Sequence, residues 1–356
     1  MIINRVANHN LQKMLTKKIL ITLLIPAMIL ACDKSKKSGE ETKTDQVVLA
    51  KTPTFNADSA YFFTEKQVKF GPRIPNTPAH IKCGDYLVAM LKKYGCEVTE
   101  QKFVTPNYAG KQLNARNIIG SINPAATKRI LLASHWDSRP FSDDDSLAKT
   151  KPFDSANDGP SGVAVLIEIA RVLQETKQKP NIGVDIIFFD VEDWGPSDDF
   201  VAKDQKAFSE QFPYGGWLLG SDYWSKNPHK QGYSAYFGIL LDMVGAKGAT
   251  FTKDSFSMQA SPSVVSKVWN IAGQLGFSPY FLQQEFGSLT DDHVPVNEKA
   301  HINMIDICDL KPNSPSTFPA YHHTQKDNMK IIDKNTLRAV GQTLLQVLYQ
   351  EGAEVQ

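Results

Sequence analysis

Cysteine is scarce in this chain, four among 356 residues, and no two of them form a closely spaced Cys-x-x-Cys pair. That argues against a thiolate zinc site. A dominant charge sign is missing too. Lys and Arg number 39 against 38 Asp and Glu, for a net charge of +1, so no field invites nucleic acid. The apolar run Ile19 to Leu30 is too short for a comfortable membrane span. No internal repeat and no second linker follows residue 50 or so. With a hydrophobic fraction of 42%, residues 51–356 are expected to build one catalytic domain around a substantial core.

What stands at the N-terminus is a basic, apolar, small-residue series. Lys17-Lys18 precedes the apolar run, which ends in Ile29-Leu30-Ala31-Cys32. Residues 1–31 are read as a secretory signal. Cys32 at the cleavage point resembles a bacterial lipobox, whose thiol is acylated and becomes the mature N-terminus. The expected address is therefore outside the cytoplasm, periplasm-facing or on the outer membrane, with a lipid as the sole membrane attachment. Asp33 to Lys43, rich in Lys, Ser and Glu, opens a flexible tether over residues 32–50. Of the remaining cysteines, a Cys83–Cys96 bridge is chemically open in an exporting compartment. Both thiols lie around one predicted helix and are expected to be buried and free.

Apolar periodicity predicts a helix over residues 78–95 and another over 161–173, with further helices at 262–275 and 331–349. Glu97 to Val104, Asn117 to Ile122 and Arg129 to Ser134 alternate as strands do, with an Asn123-Pro124 turn between the last two. Val184 to Phe189 and Tyr236 to Leu241 are nearly unbroken apolar runs, the mark of strands covered on both faces. Ile302 to Ile307 is a further strand. Strands alternating with helices predict an α/β fold with a mixed, mostly parallel central sheet sandwiched by helices. In such sheets function collects at the carboxyl ends of the strands.

Five segments carrying imidazole and carboxylate fall at those ends or in turns leading into helices. They are His135-Trp136-Asp137, Ala156-Asn157-Asp158-Gly159, Glu192-Asp193, Leu241-Asp242 and His322-His323. Singly, each acid would more often be a helix cap or turn residue. Together they supply the nitrogen and oxygen ligands that zinc accepts, with Glu192 as a spare acid able to move protons. Adjacent side chains at a strand end diverge, so Asp193 can face a metal while Glu192 faces a substrate.

The series His135-Trp136-Asp137-Ser138, Ala156 to Gly162, Phe188 to Asp193, Leu241 to Gly245 and His323-Thr324-x-x-Asp327 resembles the zinc aminopeptidase clan. Within it the chain is most similar to glutaminyl cyclases, because of Thr290-Asp291-Asp292-His293-Val294-Pro295. The resemblance implies one zinc per chain held by Asp158, Asp193 and His323. It implies Glu192 as the proton-transferring acid, with Asp242 and Asp291 as supporting carboxylates. Mammalian cyclases carry Glu where Asp193 stands and Trp where His322 stands, which puts the substrate side-chain wall in doubt. Trp194, Trp217, Phe318 and His322 are the candidates for it, and His293 is expected to be structural.

The implied reaction closes an N-terminal glutamine into pyroglutamate with loss of ammonia, on peptide or protein substrates, by an enzyme working as a monomer. Zinc would polarise the γ-carbonyl. A rival reading is a two-zinc aminopeptidase, in which His135 and Asp242 bind a second metal, Asp158 bridges and Glu192 activates water. A third is a binding lipoprotein with a vestigial site. The Asp291 segment favours the cyclase.

Overall fold

The computed structural model describes residues 48–353. The signal segment, Cys32 and nearly all of the tether lie outside the described residues. The body opens with helices α1 (Ala57–Val68) and α2 (Pro78–Lys93), then strands β1 (Glu97–Pro106), β2 (Gln112–Ile122) and β3 (Arg129–His135). Next come α3 (Pro160–Glu175), β4 (Gly183–Phe189), α4 (Gln205–Gln211), α5 (Leu219–Lys226) and β5 (Phe237–Asp242). The C-terminal third holds β6 (Phe251–Lys253), α6 (Ser255–Ala260), α7 (Pro262–Gln274), β7 (Phe281–Glu285), α8 (His293–Glu298), β8 (Met304–Cys308) and α9 (Lys334–Gly352).

Six strands form the main sheet in the order β1-β2-β4-β3-β5-β8. The β1–β2 and β2–β4 pairs are antiparallel, and β4–β3, β3–β5 and β5–β8 are parallel. This is the mixed, mostly parallel sheet expected. Every residue of β3 and β4 is buried, because alternate side chains enter cores on opposite faces. Ile130, Leu132, Val184, Ile186 and Phe188 meet helices α1, α2, α3, α7 and α9 on one side. Leu131, Ala133, Ile187 and Phe189 meet Trp224 of α5 and Val296 of α8 on the other. The one polar residue of β4, Asp185, accepts hydrogen bonds from Arg129, Ser121 and Tyr233, so its burial leaves no lone charge.

The boundaries depart from expectation where local bonding overrides periodicity. β2 starts at Gln112 rather than Asn117, since β1 pairs with it along its whole length. Helix α9 starts at Lys334, where the Asp333 carboxylate accepts the Asn335 amide; Ile332 instead bridges to Ala246. Helix α1 was not foreseen, because its buried face includes Thr64 and Gln67. Their side chains donate to the carbonyls of Ala60, Phe63 and Pro160. Cys83 and Cys96 are buried free thiols, and burial pushes each thiol up to about 12. Among the described residues no helix is long and apolar enough to cross a membrane.

The first turn of α5 lies against the exit of β4. A Cβ on Gly220 would stand 2.1 Å from the Asp190 carbonyl oxygen and 2.7 Å from Asn117 Oδ1, and backbone cannot yield as a flexible side chain does. Gly220→Ala is therefore expected to cost about 1–3 kcal/mol, as overpacking does. Denaturant unfolding reads the loss, and a midpoint equal to wild type would show that α5 is free to shift.

Candidate active site

At the carboxyl ends of the parallel strands the structure brings the sequence-selected residues together. His135 closes β3, Asp242 closes β5, and Glu192-Asp193 follow β4 by two residues. Asp158 sits in the turn before α3, where the helix N-terminus favours a carboxylate. His135 Nε2 lies 2.9 Å from Asp158 Oδ1 and 3.2 Å from Asp242 Oδ1. His323 Nε2 lies 3.2 Å from Asp193 Oδ1 and 3.7 Å from Asp158 Oδ2. Three groups of donor atoms result, each spanning no more than 4.8 Å: the buried Asp158–Asp193–His323 and His135–Asp158–Asp242, which share Asp158, and the more exposed Asp144–His322–His323.

Backbone strain gathers here. Ser155, Val191, Met243 and His323 all have φ near +50°, a region that side-chain-bearing residues rarely adopt, least of all a β-branched one. Each flanks or is a site residue. Val191 is held by two contacts: its amide donates to the Asp190 carboxylate at 2.9 Å and its carbonyl accepts from Leu219. Asp190 in turn takes His80 Nε2 at 2.9 Å and the Arg116 amide at 2.6 Å. It thus fixes the strand exit rather than facing the site.

The electrostatics suit a cation. Both Asp193 oxygens are buried without a hydrogen-bond partner. Burial and the neighbouring Asp158 push the Asp193 carboxyl well above its usual range. Burial, reinforced by the Arg139 guanidinium, holds the His323 imidazole well below its usual value, so it presents the neutral nitrogen a metal takes. Asp158 behaves differently. Burial opposes its charge, but the hydrogen bond and charge of His135 keep it lowered. Two buried carboxylates and one neutral imidazole, with two orphaned oxygens among them, fit zinc.

Glu192 is raised well above the normal carboxylate range by burial, with His135 opposing and Asp193, Asp291 and Asp292 adding to the shift. His135 Nδ1 lies 3.8 Å from it. Asp291, at the entrance to α8, is pushed up to about 6 by burial and by the charge of Asp242.

The wall candidates separate. Phe318 stacks on His322 at 4.3 Å, His322 on His323 at 3.6 Å, and Trp217 lies parallel to His323 at 6.0 Å. The Arg139 guanidinium lies over the Trp217 ring at 4.5 Å. Trp194 is not part of this wall. Its ring is buried with Phe103, Leu113, Ala115 and Val191, under Lys111. His293 is fully buried, 3.5 Å from Asp254 rather than beside Asp292.

Several contributors had no role assigned from sequence. The Asp137 carboxylate accepts the amides of Glu192 at 3.1 Å and Asp193 at 3.3 Å. The Asp327 carboxylate accepts those of Asn157 at 2.8 Å and Asp158 at 3.1 Å. Each acid thus holds a ligand-bearing loop by its backbone. Arg139 reaches the Asp193 and Gly195 carbonyls and pairs with Asp143. Asp306 of β8 is pushed well up by burial, Asp291 and Asp242. The His135-x-Asp137 and His323-x-x-x-Asp327 spacings were the available signals, since both acids lie within the quoted segments.

Residues 117–348 match the model of peptidase family M28. Among solved structures, a Porphyromonas gingivalis glutaminyl cyclase is 49% identical, covering 83% of this chain and 99% of its own, with a TM-score of 0.77. A Zn-dependent exopeptidase from Parabacteroides distasonis is 48% identical, covering 84% and 99%, with a TM-score of 0.79. The glutaminyl-peptide cyclotransferase of Drosophila melanogaster is 25% identical over 74% of this chain and 73% of its own length. The chain therefore belongs to peptidase family M28, in the branch that holds the bacterial glutaminyl cyclases.

Proposed function

We propose that this chain is a zinc-dependent glutaminyl-peptide cyclotransferase, converting the N-terminal glutamine of peptides or proteins to pyroglutamate and ammonia. The observation that carries this reading is the buried Asp158–Asp193–His323 donor set with Glu192 and Asp242 both beside His135, at 3.8 and 3.2 Å from its ring nitrogens. Likeness to the P. gingivalis and D. melanogaster proteins supports it.

In this reading Asp158, Asp193 and His323 hold one zinc ion, which when bound supplies a Lewis acid for the substrate's γ-carbonyl. The stack of Phe318, His322, His323 and Trp217 offers flat apolar faces to the glutamine side chain. Because amine and amide belong to one residue, holding the right rotamer supplies much of the rate. Glu192 accepts a proton from the α-amine as its nitrogen bonds to the side-chain amide carbon, Cδ. It then returns that proton to the amide nitrogen as the old C–N bond breaks and ammonia leaves. Asp291 orients the departing amide, and Asp242 holds the acid group in place. No water enters the balance. The Lys17 to Cys32 series supports an exported lipoprotein with one catalytic domain from residue 51.

The His135–Asp158–Asp242 group is the observation favouring a two-zinc aminopeptidase, so the test measures both features. Zinc per chain is determined while Gln-initiated and Leu-initiated dipeptides are supplied. About one zinc and ammonia from the Gln dipeptide are expected. Two zincs with free leucine would overturn the cyclase reading, and neither product would make this a binding protein.

A further inference from the structure

The main sheet ends at β1. The backbone groups of its residues that point away from β2 have no strand partner among the described residues. At ten residues this is a long edge, and a row of free N–H and C=O groups is a template for another strand. Beside it Val104 is 62% and Ile81 of α2 55% exposed, and both line one surface groove with Asp85, Lys102 and Arg116.

The sequence of β1 selects what fits. When a strand pairs antiparallel with its own copy, opposed residues lie symmetrically about a two-fold axis. The hydrogen-bonding groups come into phase only if that axis passes through a residue pair. Centred on Glu100 or on Lys102, the axis sets a charge against its own copy. Centred on Gln101, it sets Glu100 against Lys102, Val98 against Val104 and Thr99 against Phe103, each twice. Centres farther out shorten the overlap. Lys102 and Pro106 are devices that keep an edge from pairing at random, and here they leave one favourable register. Glu100 already sits 3.7 Å from its own Lys102 and 3.0 Å from Arg116 of β2, and the partner's Lys102 would join that cluster.

We propose that β1 is a homodimer interface, joining two copies antiparallel about an axis through Gln101 into one continuous sheet. This departs from the monomer expected from sequence. The pairing uses the same patch on both copies and closes on itself. It is also small, so the dimer is expected on the order of micromolar.

The test uses the full chain in mild detergent. Sedimentation velocity across a concentration series should show a reversible monomer–dimer equilibrium. The β1 amides should become protected from hydrogen exchange as concentration rises. Glu100→Lys and Lys102→Glu each create two like-charge pairs, and each should weaken self-association by about tenfold or more. Mixing the two variants restores both opposite-charge pairs, and should restore the dimer. A monomer up to about a hundred micromolar, or a dimer insensitive to these swaps, would overturn the proposal. So would two variants that fail to associate when mixed.

Discussion

Replacing Glu192 by glutamine is expected to lower turnover of a Gln-initiated peptide by about two to four orders of magnitude, the range of a positioned general acid–base, while zinc content stays at the wild-type level. The geometry separates the two effects. Glu192 is outside the Asp158–Asp193–His323 donor group, and its amide is fixed by Asp137 whatever its side chain carries. Glutamine is nearly isosteric, so the loop has no reason to move. What it lacks is a proton-accepting oxygen. Metal analysis beside steady-state kinetics checks this, with KM expected to change far less than kcat. A variant that loses its zinc would mean Glu192 is a ligand. Near-normal turnover would mean the amine loses its proton elsewhere.

The strands that carry the site were legible because both sheet faces are covered. Ile186 to Phe189 and Tyr236 to Leu241 are apolar without alternation, and the first polar residue past each run lands at the strand end. The acids beyond were therefore placed correctly without any knowledge of side-chain direction. Direction itself was not legible. Trp194 and Trp217 look equivalent in sequence, yet Gly215 and Gly216 with φ of 67° and 97° turn the chain just before the second of them. One ring ends in a hydrophobic cluster and the other against His323. Asp137 and Asp327 escaped assignment for a different reason. Their partners are backbone amides 55 and 170 residues away, and every residue but proline carries such a donor, so no sequence pattern marks the acceptor. Helix α1 stayed hidden because a polar residue that bonds its own helix carbonyl, like Thr64, is buried without looking apolar.

Removing the Asp193 carboxylate is expected to have the larger consequence. Asp193→Ala should weaken zinc binding by more than about a hundredfold, since even outer-sphere partners of a metal ligand cost about 10–100-fold. Turnover should fall to background. Asp193 is 1% exposed and both its oxygens lack hydrogen-bond partners. A buried carboxylate in that state is destabilising unless something cationic meets it. Arg139 does so only weakly, with Nη1 at 3.7 Å from Oδ1, and is already committed to Asp143. A zinc ion held there would resolve the conflict for Asp158 and Asp193 together, and metal binding would then be part of the stability of these strand ends. Added zinc should therefore raise the melting temperature of the metal-stripped wild type, as any ligand selective for the folded state does, and leave that of Asp193→Ala nearly unchanged. Competition with a chromophoric chelator gives the affinities. If the variant bound zinc as tightly as wild type, the ligand set would have to be the His135–Asp158–Asp242 group instead. If the variant lost both zinc and its response to zinc, Asp158 and His323 alone are insufficient, and His135 with Asp242 cannot replace the missing oxygen.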